Sequence, residues 1–255
     1  MGEKTGNGVP RDAIEKHLAS TLDINRFRDY CPNGLQVEGR SRVNRVVSGV
    51  TANLALLEAA VAMQADMVLV HHGYFWRGED PRVVGTRQRR LRLLLENEIN
   101  LFAYHLPLDA HPELGNNAQL AKVLGLEADG RFGEQDIGWL GRSQAKTVGE
   151  LADLVGRALG RVPLVIGDAD QPVERIAWCT GAAQNSMEAA INAGATAYLS
   201  GEISEQTVHL ARETGVAYLA CGHHATERYG VQAVGDCLAR AFGVAHNFVD
   251  IENPV

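Results

Sequence analysis

Residues 43–73 align without a gap on residues 173–203, matching Val43 with Val173, Arg45 with Arg175, Ala52 with Ala182, Glu58 with Glu188, Ala59 with Ala189, Ala60 with Ala190, Ala65 with Ala195 and Leu69 with Leu199. The hydrophobic pattern repeats along with the identities. In the first copy a β-branched run (43–50) leads through a helix-prone stretch (53–64) into a second apolar run (66–70), the pattern of strand, helix and strand. Thr51 or Asn53 is placed to cap that helix. The second copy runs from 173–180 through a helix at about 184–193 into 195–199. Each copy then adds a helix and another apolar run, 86–98 with 99–104 and 203–214 with 215–221. The chain therefore reads as an α/β protein built on a duplicated β-α-β-α-β unit, forming two lobes with mixed or parallel sheets. Parallel strands joined by right-handed crossovers carry their helices on the sheet faces and bind ligands beyond the strands' carboxyl ends.

Between the copies, residues 129–172 carry Gly, Pro and Asp clusters around one helix at about 147–159. This divides the chain into a discontinuous lobe, 1–128 plus 222–255, and a smaller lobe, 129–221. Three ligand-capable clusters, His71-His72-Gly73, His105-Leu-Pro-Leu-Asp109 and His223-His224-Ala-Thr-Glu227, each lie just beyond an apolar run. They are expected to meet at strand ends between the lobes. The copies diverge there, since His71 and His72 align with Gly201 and Glu202.

Imidazole and carboxylate suit zinc, iron, manganese, nickel or cobalt, and the absence of cysteine from the clusters argues against a thiolate site. His223 and Glu227, four residues apart, project from one face if a helix starts there, and chelate together. His224 points elsewhere and supports a ligand or faces substrate. Adjacent His71 and His72 start on opposite faces of a strand and cooperate only where the backbone turns, which Gly73 permits. Pro107 disfavours a continuous helix, so Asp109 is presented from a loop. Asp109 is placed to bind one ion with Glu227 bridging two, while His105 orients a ligand or the nucleophilic water. Phe75 and Trp76 line the pocket or pack in the core. The Cys31-Pro-Asn33-Gly34-Leu35-Gln36 stretch is a turn signal and a candidate site loop. His17, His111, His209 and His246 have ordinary helical or surface explanations.

The chain has 255 residues, 45% hydrophobic, enough to bury a core without disulfides. Cys31, Cys179, Cys221 and Cys237 form no CxxC pair and read as reduced, buried thiols of an intracellular protein. The N-terminus lacks an apolar leader and no run approaches the ~18 residues of a membrane span, so the chain is expected to be soluble and cytoplasmic. A net charge of −7 disfavours nucleic acid. The Arg87, Arg89, Arg90 and Arg92 run reads as the solvated face of a helix. No GxxxxGK[ST], GxGxxG or GxSxG motif is present, leaving phosphate loops and a serine elbow without support.

The stretches PNGLQVEG, GVTAN, VHHGYFW, HLPLDAHPELGNNAQLA, AWCTG, SGEISEQT and CGHHATER closely resemble the Nif-three-like family, whose bacterial members are labelled GTP cyclohydrolase 1 type 2 homologues. The resemblance covers about Asp12 to Pro254. It implies a two-lobed α/β fold, a dinuclear metal centre with two divalent ions per chain, and a toroidal homohexamer, a trimer of dimers. By motif, His71, His72, Asp109, His223 and Glu227 match the family's metal ligands, with Glu227 bridging. Cys221 stands where an alanine is usual. The implied reaction is hydrolytic opening of the GTP imidazole ring with release of formate, with Glu227 at the catalytic centre and His105 or His224 moving protons. The alternative is a non-catalytic metal-binding regulatory or scaffold protein that uses the ring assembly.

Overall fold

The structure is a computed structural model that describes residues 8–255. The chain forms two compact units, one through Leu108 together with Val231–Ile251, the other Asp109–Gly230 together with Glu252–Val255. The sequence-based division assigns 109–128, 222–230 and the last four residues to the first lobe; by contact they cluster with the second.

The first unit holds a five-stranded sheet in the order Ala245–Phe248, Arg45–Thr51, Met67–His72, Asn100–Ala103, Gly34–Val37. The first four run parallel and Gly34–Val37 is antiparallel. A short pairing of Val9–Pro10 with Arg42–Val43 lies outside it. The second unit holds a six-stranded sheet in the order Glu127–Phe132, Gly138–Arg142, Ile176–Cys179, Ala197–Ser200, Ala217–Ala220, Leu164–Ile166. Its three middle strands from Ile176–Cys179 are parallel, and the flanking ones antiparallel.

The duplication holds down to register. Val46 pairs with Met67 in one unit and Ile176 with Ala197 in the other, equivalent positions in the ungapped alignment. Both faces of these strands are buried, which explains why they read as continuous apolar runs rather than alternating ones. Trp178, Leu199 and Leu219 pack with Leu151, Val155 and Leu124 on one face, while Ala177, Tyr198 and Tyr218 pack with Met187 and Ala211 on the other. In the first unit Val47, Val68 and Leu101 pack with Leu56, Leu57 and Leu94.

Of the two candidate caps, Asn53 accepts from the Leu56 N–H at 2.9 Å and starts helix Leu54–Ala62. The arginine run lies on helix Gly85–Glu96, where Arg87 and Arg92 pair with Glu79 and Glu96; Arg89 and Arg92 are exposed as on a solvated face, while Arg87 and Arg90 are partly buried. Cys31, Cys179 and Cys221 are buried and, like Cys237, free. Among the described residues no helix is long and apolar enough to cross a membrane.

His246 is more than a surface histidine. Its Nε2 lies 2.8 Å from Ser48 Oγ and its Nδ1 2.8 Å from Asp236 Oδ1. This is the connectivity of a serine triad, but Ser48 is completely buried in the sheet, so no substrate reaches it. The group instead ties the edge strand to its neighbour.

A β-carbon at Gly235 would sit 2.1 Å from His246 Nε2, and the imidazole is pinned at both nitrogens. Gly235→Ala should therefore cost about 1–3 kcal/mol. Gly156, inside helix Val148–Leu159, would meet nothing closer than 3.8 Å. Gly156→Ala should stabilise by about 0.5–1 kcal/mol through helix propensity. Urea unfolding of the two variants beside wild type checks the opposite signs.

Candidate metal centre

His71 and His72 are the last two residues of strand Met67–His72; the strand runs two residues further than the apolar pattern implies, because His72 still pairs with Thr51. His71 is fully buried and its Nδ1 lies 2.9 Å from the Tyr104 carbonyl oxygen. A carbonyl only accepts, so Nδ1 carries the proton and Nε2 keeps its lone pair. His72 Nδ1 lies 3.1 Å from Thr51 Oγ1. The two rings stand with centroids 4.5 Å apart, at the point where the ladder ends. Gly73 is needed there for size rather than for a left-handed backbone. A β-carbon would lie 2.2 Å from Gln36 Oε1 and 2.5 Å from Ala103 Cβ.

His105 follows strand Asn100–Ala103 and joins the same group, with its ring 5.1 Å from His71 and 5.9 Å from His72. Trp76 stands edge-on to it at 4.9 Å, while Phe75 is exposed. The candidate turn loop contacts this group through Asn33. Asn33 Oδ1 accepts from the His105 backbone N–H at 2.7 Å, and Asn33 Nδ2 donates to Asp29 Oδ2 at 2.8 Å. Asp29 Oδ1 accepts from His105 Nδ1 at 2.7 Å and Oδ2 from the Leu106 N–H at 2.9 Å. Burial alone would raise the Asp29 carboxyl, but His105, Asn33 and the Tyr30 N–H outweigh it and bring it down to about 2. Cys31 lies within ligand reach of Asp29 and His105. Burial first, and the Asp29 charge second, push its thiol up to about 12, so it stays protonated and is a poor ligand.

The second unit carries the carboxylates. Asp109 sits on a short helix, Leu106–Ala110, rather than a loop. Pro107 is tolerated because it lies in the first turn, where its missing N–H would have no helical partner. Asp109 is buried, and its Oδ1 accepts from Asn116 Nδ2 at 2.9 Å and Thr180 Oγ1 at 3.3 Å. Helix His223–Phe242 starts at the expected residue. His223 Nε2 lies 3.1 Å from Glu227 Oε2, and His223 Nδ1 donates to Glu202 Oε1 at 2.7 Å. Burial would lower His223, but Glu227 and then Glu202 raise it to about 9. A divalent ion bound by His223 must therefore displace a proton. Asp109 and Glu227 offer oxygens within 4.8 Å of one another. Gly181 makes room for this group. Its φ is +68°, and a β-carbon would lie 2.1 Å from Glu227 Oε1.

The structure thus gathers His71, His72 and His105 in one unit and Asp109, His223 and Glu227 in the other. Among the described residues His224 offers no atom to either donor set; its backbone N–H donates to the Val255 carbonyl. The donors fit a divalent cation: imidazoles with fixed tautomers, oriented carboxylates and no thiolate. Sequence reasoning missed Asp29, Thr180, Gly181, Asn116 and Glu202 as parts of the site. A signal existed for Glu202, which aligns with His72 in the duplication. Asn116, Thr180 and Gly181 lie in motifs already singled out, whereas nothing local marks Asp29.

The sequence profile of the Duf34/NIF3 (NGG1p interacting factor 3) family matches residues 9–254. The chain belongs to the Duf34/NIF3 family. A relative from Pseudomonas aeruginosa named GTP cyclohydrolase 1 type 2 homolog is 59% identical over 237 residues, covering 91% of this chain and 94% of that protein. The solved structure described as "protein ybgI, unknown function" superposes with a TM-score of 0.92 at 45% identity, covering 97% of this chain and all of the other. A second solved structure, TTHA1606 from Thermus thermophilus, gives 0.88 at 34% identity, covering 97% of this chain and 100% of that one. The mixed α/β fold is that of these neighbours.

Two outcomes test the site's construction. Asp29 titrates at about 2 in the folded, metal-free chain against an ordinary 3.8, so its contribution to stability, about 2 kcal/mol, is complete above its unfolded pKa of ~4 and is lost as pH falls through about 2. The unfolding free-energy gap between wild type and Asp29→Asn should shrink over that window and stay flat near neutrality. Gly181→Ala should weaken metal uptake by about tenfold or more, read by calorimetric titration with zinc, because the new methyl occupies the place of the Glu227 carboxylate.

Proposed function

We propose that the protein is a dinuclear, divalent-metal-dependent hydrolase in which His71, His72, Asp109, His223 and Glu227 hold two ions of zinc, iron, manganese or nickel, with Glu227 bridging. The observation that carries this reading is the orientation of the donors. His71 and His223 each present Nδ1 to an oxygen that only accepts, and buried Asp109 is held by two donors. Such support costs folding energy and is characteristic of ligands rather than of incidental surface groups.

Bound ions of this kind supply Lewis acidity and lower the pKa of a water toward neutrality. The chain's own residues do the rest. Glu227 and Asp109 contribute negative charge that retains the ions, and His105, fixed through Nδ1 by Asp29, is left with Nε2 to accept and return a proton. His105 is better suited to this than His224, which belongs to neither donor set. The names of the close relatives support a purine nucleotide as substrate. One water opens the imidazole ring of GTP to a formamide and a second releases formate. Related cyclic amides and phosphoesters fall within the same chemistry. The reading includes a toroidal hexamer and a small-molecule substrate.

Reconstituted protein should hold two ions per chain by elemental analysis and release formate from GTP. Glu227→Gln should lower turnover by about 100-fold or more while its far-UV circular dichroism and assembly persist. A metal-loaded wild type that turns over no nucleotide, cyclic amide or phosphoester would favour a metal-binding scaffold instead.

A further inference from the structure

We propose that Tyr30, Phe75 and Trp76 form a stacking subsite in the first unit that takes a planar heterocycle, such as the base of a purine nucleoside, and seats it beside His105. The inference rests on the proton-transfer role proposed for His105. It deepens that reading by naming the part of the substrate that the chain recognises and the residues that do so.

Exposed aromatic rings are concentrated at this one place. Among the described residues Tyr30, 55% exposed, and Phe75, 41% exposed, are the two aromatic side chains left open to solvent, while the others are buried or partly buried. Both lie on loops that adjoin His105. One loop follows strand Met67–His72 and carries Phe75 and Trp76; the other carries Asp29, the partner of His105, and Tyr30. Arg77 joins the two, its backbone N–H donating to the Tyr30 carbonyl at 2.7 Å and its Nη2 to the Asp29 carbonyl at 2.9 Å. The Tyr30 ring stands 6.2 Å from that of His105 and the Trp76 ring 4.9 Å, so a ligand seated at His105 would lie against aromatic faces.

Folding alone does not call for this arrangement. Phe75 holds φ at +65°, a region that bulky side chains rarely adopt and that marks a strained position. Its neighbours are anchored. Tyr74 donates its N–H to Gln36 Oε1 at 2.6 Å and its hydroxyl to the Ala52 carbonyl at 2.8 Å, and Trp76 Nε1 donates to the Gly73 carbonyl at 3.2 Å. Between these anchors the left-handed turn leaves the Phe75 ring facing water, against the tendency of phenylalanine to be buried. The bond to Gly73 also fixes the plane of the Trp76 indole, which is only partly buried. A fixed, partly open aromatic face loses little freedom when a flat ligand stacks on it. Stacking also suits a flat base in particular, because every base offers a π face, whereas an aliphatic chain gains contact area alone.

The test is titration of the full chain with inosine and guanosine, followed by tryptophan fluorescence and calorimetry, with ribose as the control that lacks a planar base. Trp139 and Trp178 are buried, so Trp76 is the indole that a stacked base quenches. Both nucleosides should bind saturably and quench, and ribose should do neither. Tyr30→Ala and Phe75→Gly, glycine suiting the left-handed backbone, should each weaken binding by about 5–150-fold, whereas Tyr30→Phe should retain it. Trp76→Phe should lose the quench and still bind by calorimetry. Absence of saturable binding, or binding unchanged in folded Tyr30→Ala or Phe75→Gly, overturns the proposal. So does altered sedimentation of either variant, since the rings would then be covered by another copy of the chain. If either variant does not fold, Trp76→Phe decides in its place, and a quench that persists in it overturns the proposal. The two readings fail separately. Nucleosides that bind here while the metal-loaded protein turns over no substrate leave this inference standing and the hydrolase reading fallen. Metal-dependent turnover of a phosphoester with no nucleoside bound does the reverse.

Discussion

Parallel pairing of three successive strands is the constraint on which both units rest. Because Arg45–Thr51, Met67–His72 and Asn100–Ala103 share one direction and a continuous register, their carboxyl ends finish along one edge. The same holds for Ile176–Cys179, Ala197–Ser200 and Ala217–Ala220. Both sheet faces are covered by apolar side chains, so a polar group within the strands needs a dedicated partner, as Ser48 has in His246, or is buried at a cost of about 1–3 kcal/mol. The donor groups gather at the edge, where the ladder gives out and backbone groups are released. His71 takes up one of these, the Tyr104 carbonyl, and Gly201 N–H takes up another, the Gly181 carbonyl. His105, Thr180, Glu202 and His223 all follow within three residues of a strand's carboxyl end.

The two units use this edge differently. The first offers imidazoles, and the carboxylate hydrogen-bonded to His105 is that of Asp29. The second surrounds one imidazole, His223, with Glu202 and Glu227, and buries Asp109 within ligand reach of Glu227. Buried carboxylates close together repel unless a cation lies between them. Glu227 and then Glu202 favour the proton on His223, which is why burial fails to lower its pKa. An imidazole-rich set and a carboxylate-rich set rank metals differently, since imidazole suits zinc, iron and nickel while carboxylate extends the range toward manganese. Gly73, Gly181 and Gly201 keep these groups close, each at a position where a β-carbon would strike a neighbour under 3 Å away.

The duplication was legible because hydrophobic pattern and identities recur without a gap, and strand register preserves the same equivalence. The pairing of His223 with Glu227 was legible from helical spacing alone. Local rules failed where tertiary placement decides. Pro107 reads as a helix breaker, yet it occupies a first turn where it does no harm. Strands Gly34–Val37 and Ala245–Phe248 are short edge strands whose existence depends on a neighbour's free ladder rather than on their own composition. Asp29 stands seventy-six positions from its imidazole partner, and nothing near it in sequence distinguishes it from a solvated aspartate. Asn116, by contrast, lies seven residues from Asp109, within one quoted motif.

An Asp–His pair recurs among the described residues, and the comparison shows what decides its use. Asp236 holds His246 at Nδ1 as Asp29 holds His105, with bonds of 2.8 Å and 2.7 Å. What differs is the far side of the ring. His246 Nε2 meets Ser48 Oγ in the middle of a strand, where full burial excludes substrate, so the pair is spent on joining an edge strand to the sheet. His105 stands past a strand's end beside the rings of His71, His72 and Trp76, and it is only partly buried. Connectivity alone would rank the Ser48 group as the better candidate for catalysis. Access and the company of the second nitrogen reverse that order, because an imidazole polarised by a carboxylate is useful only when a proton or a metal ion can reach Nε2.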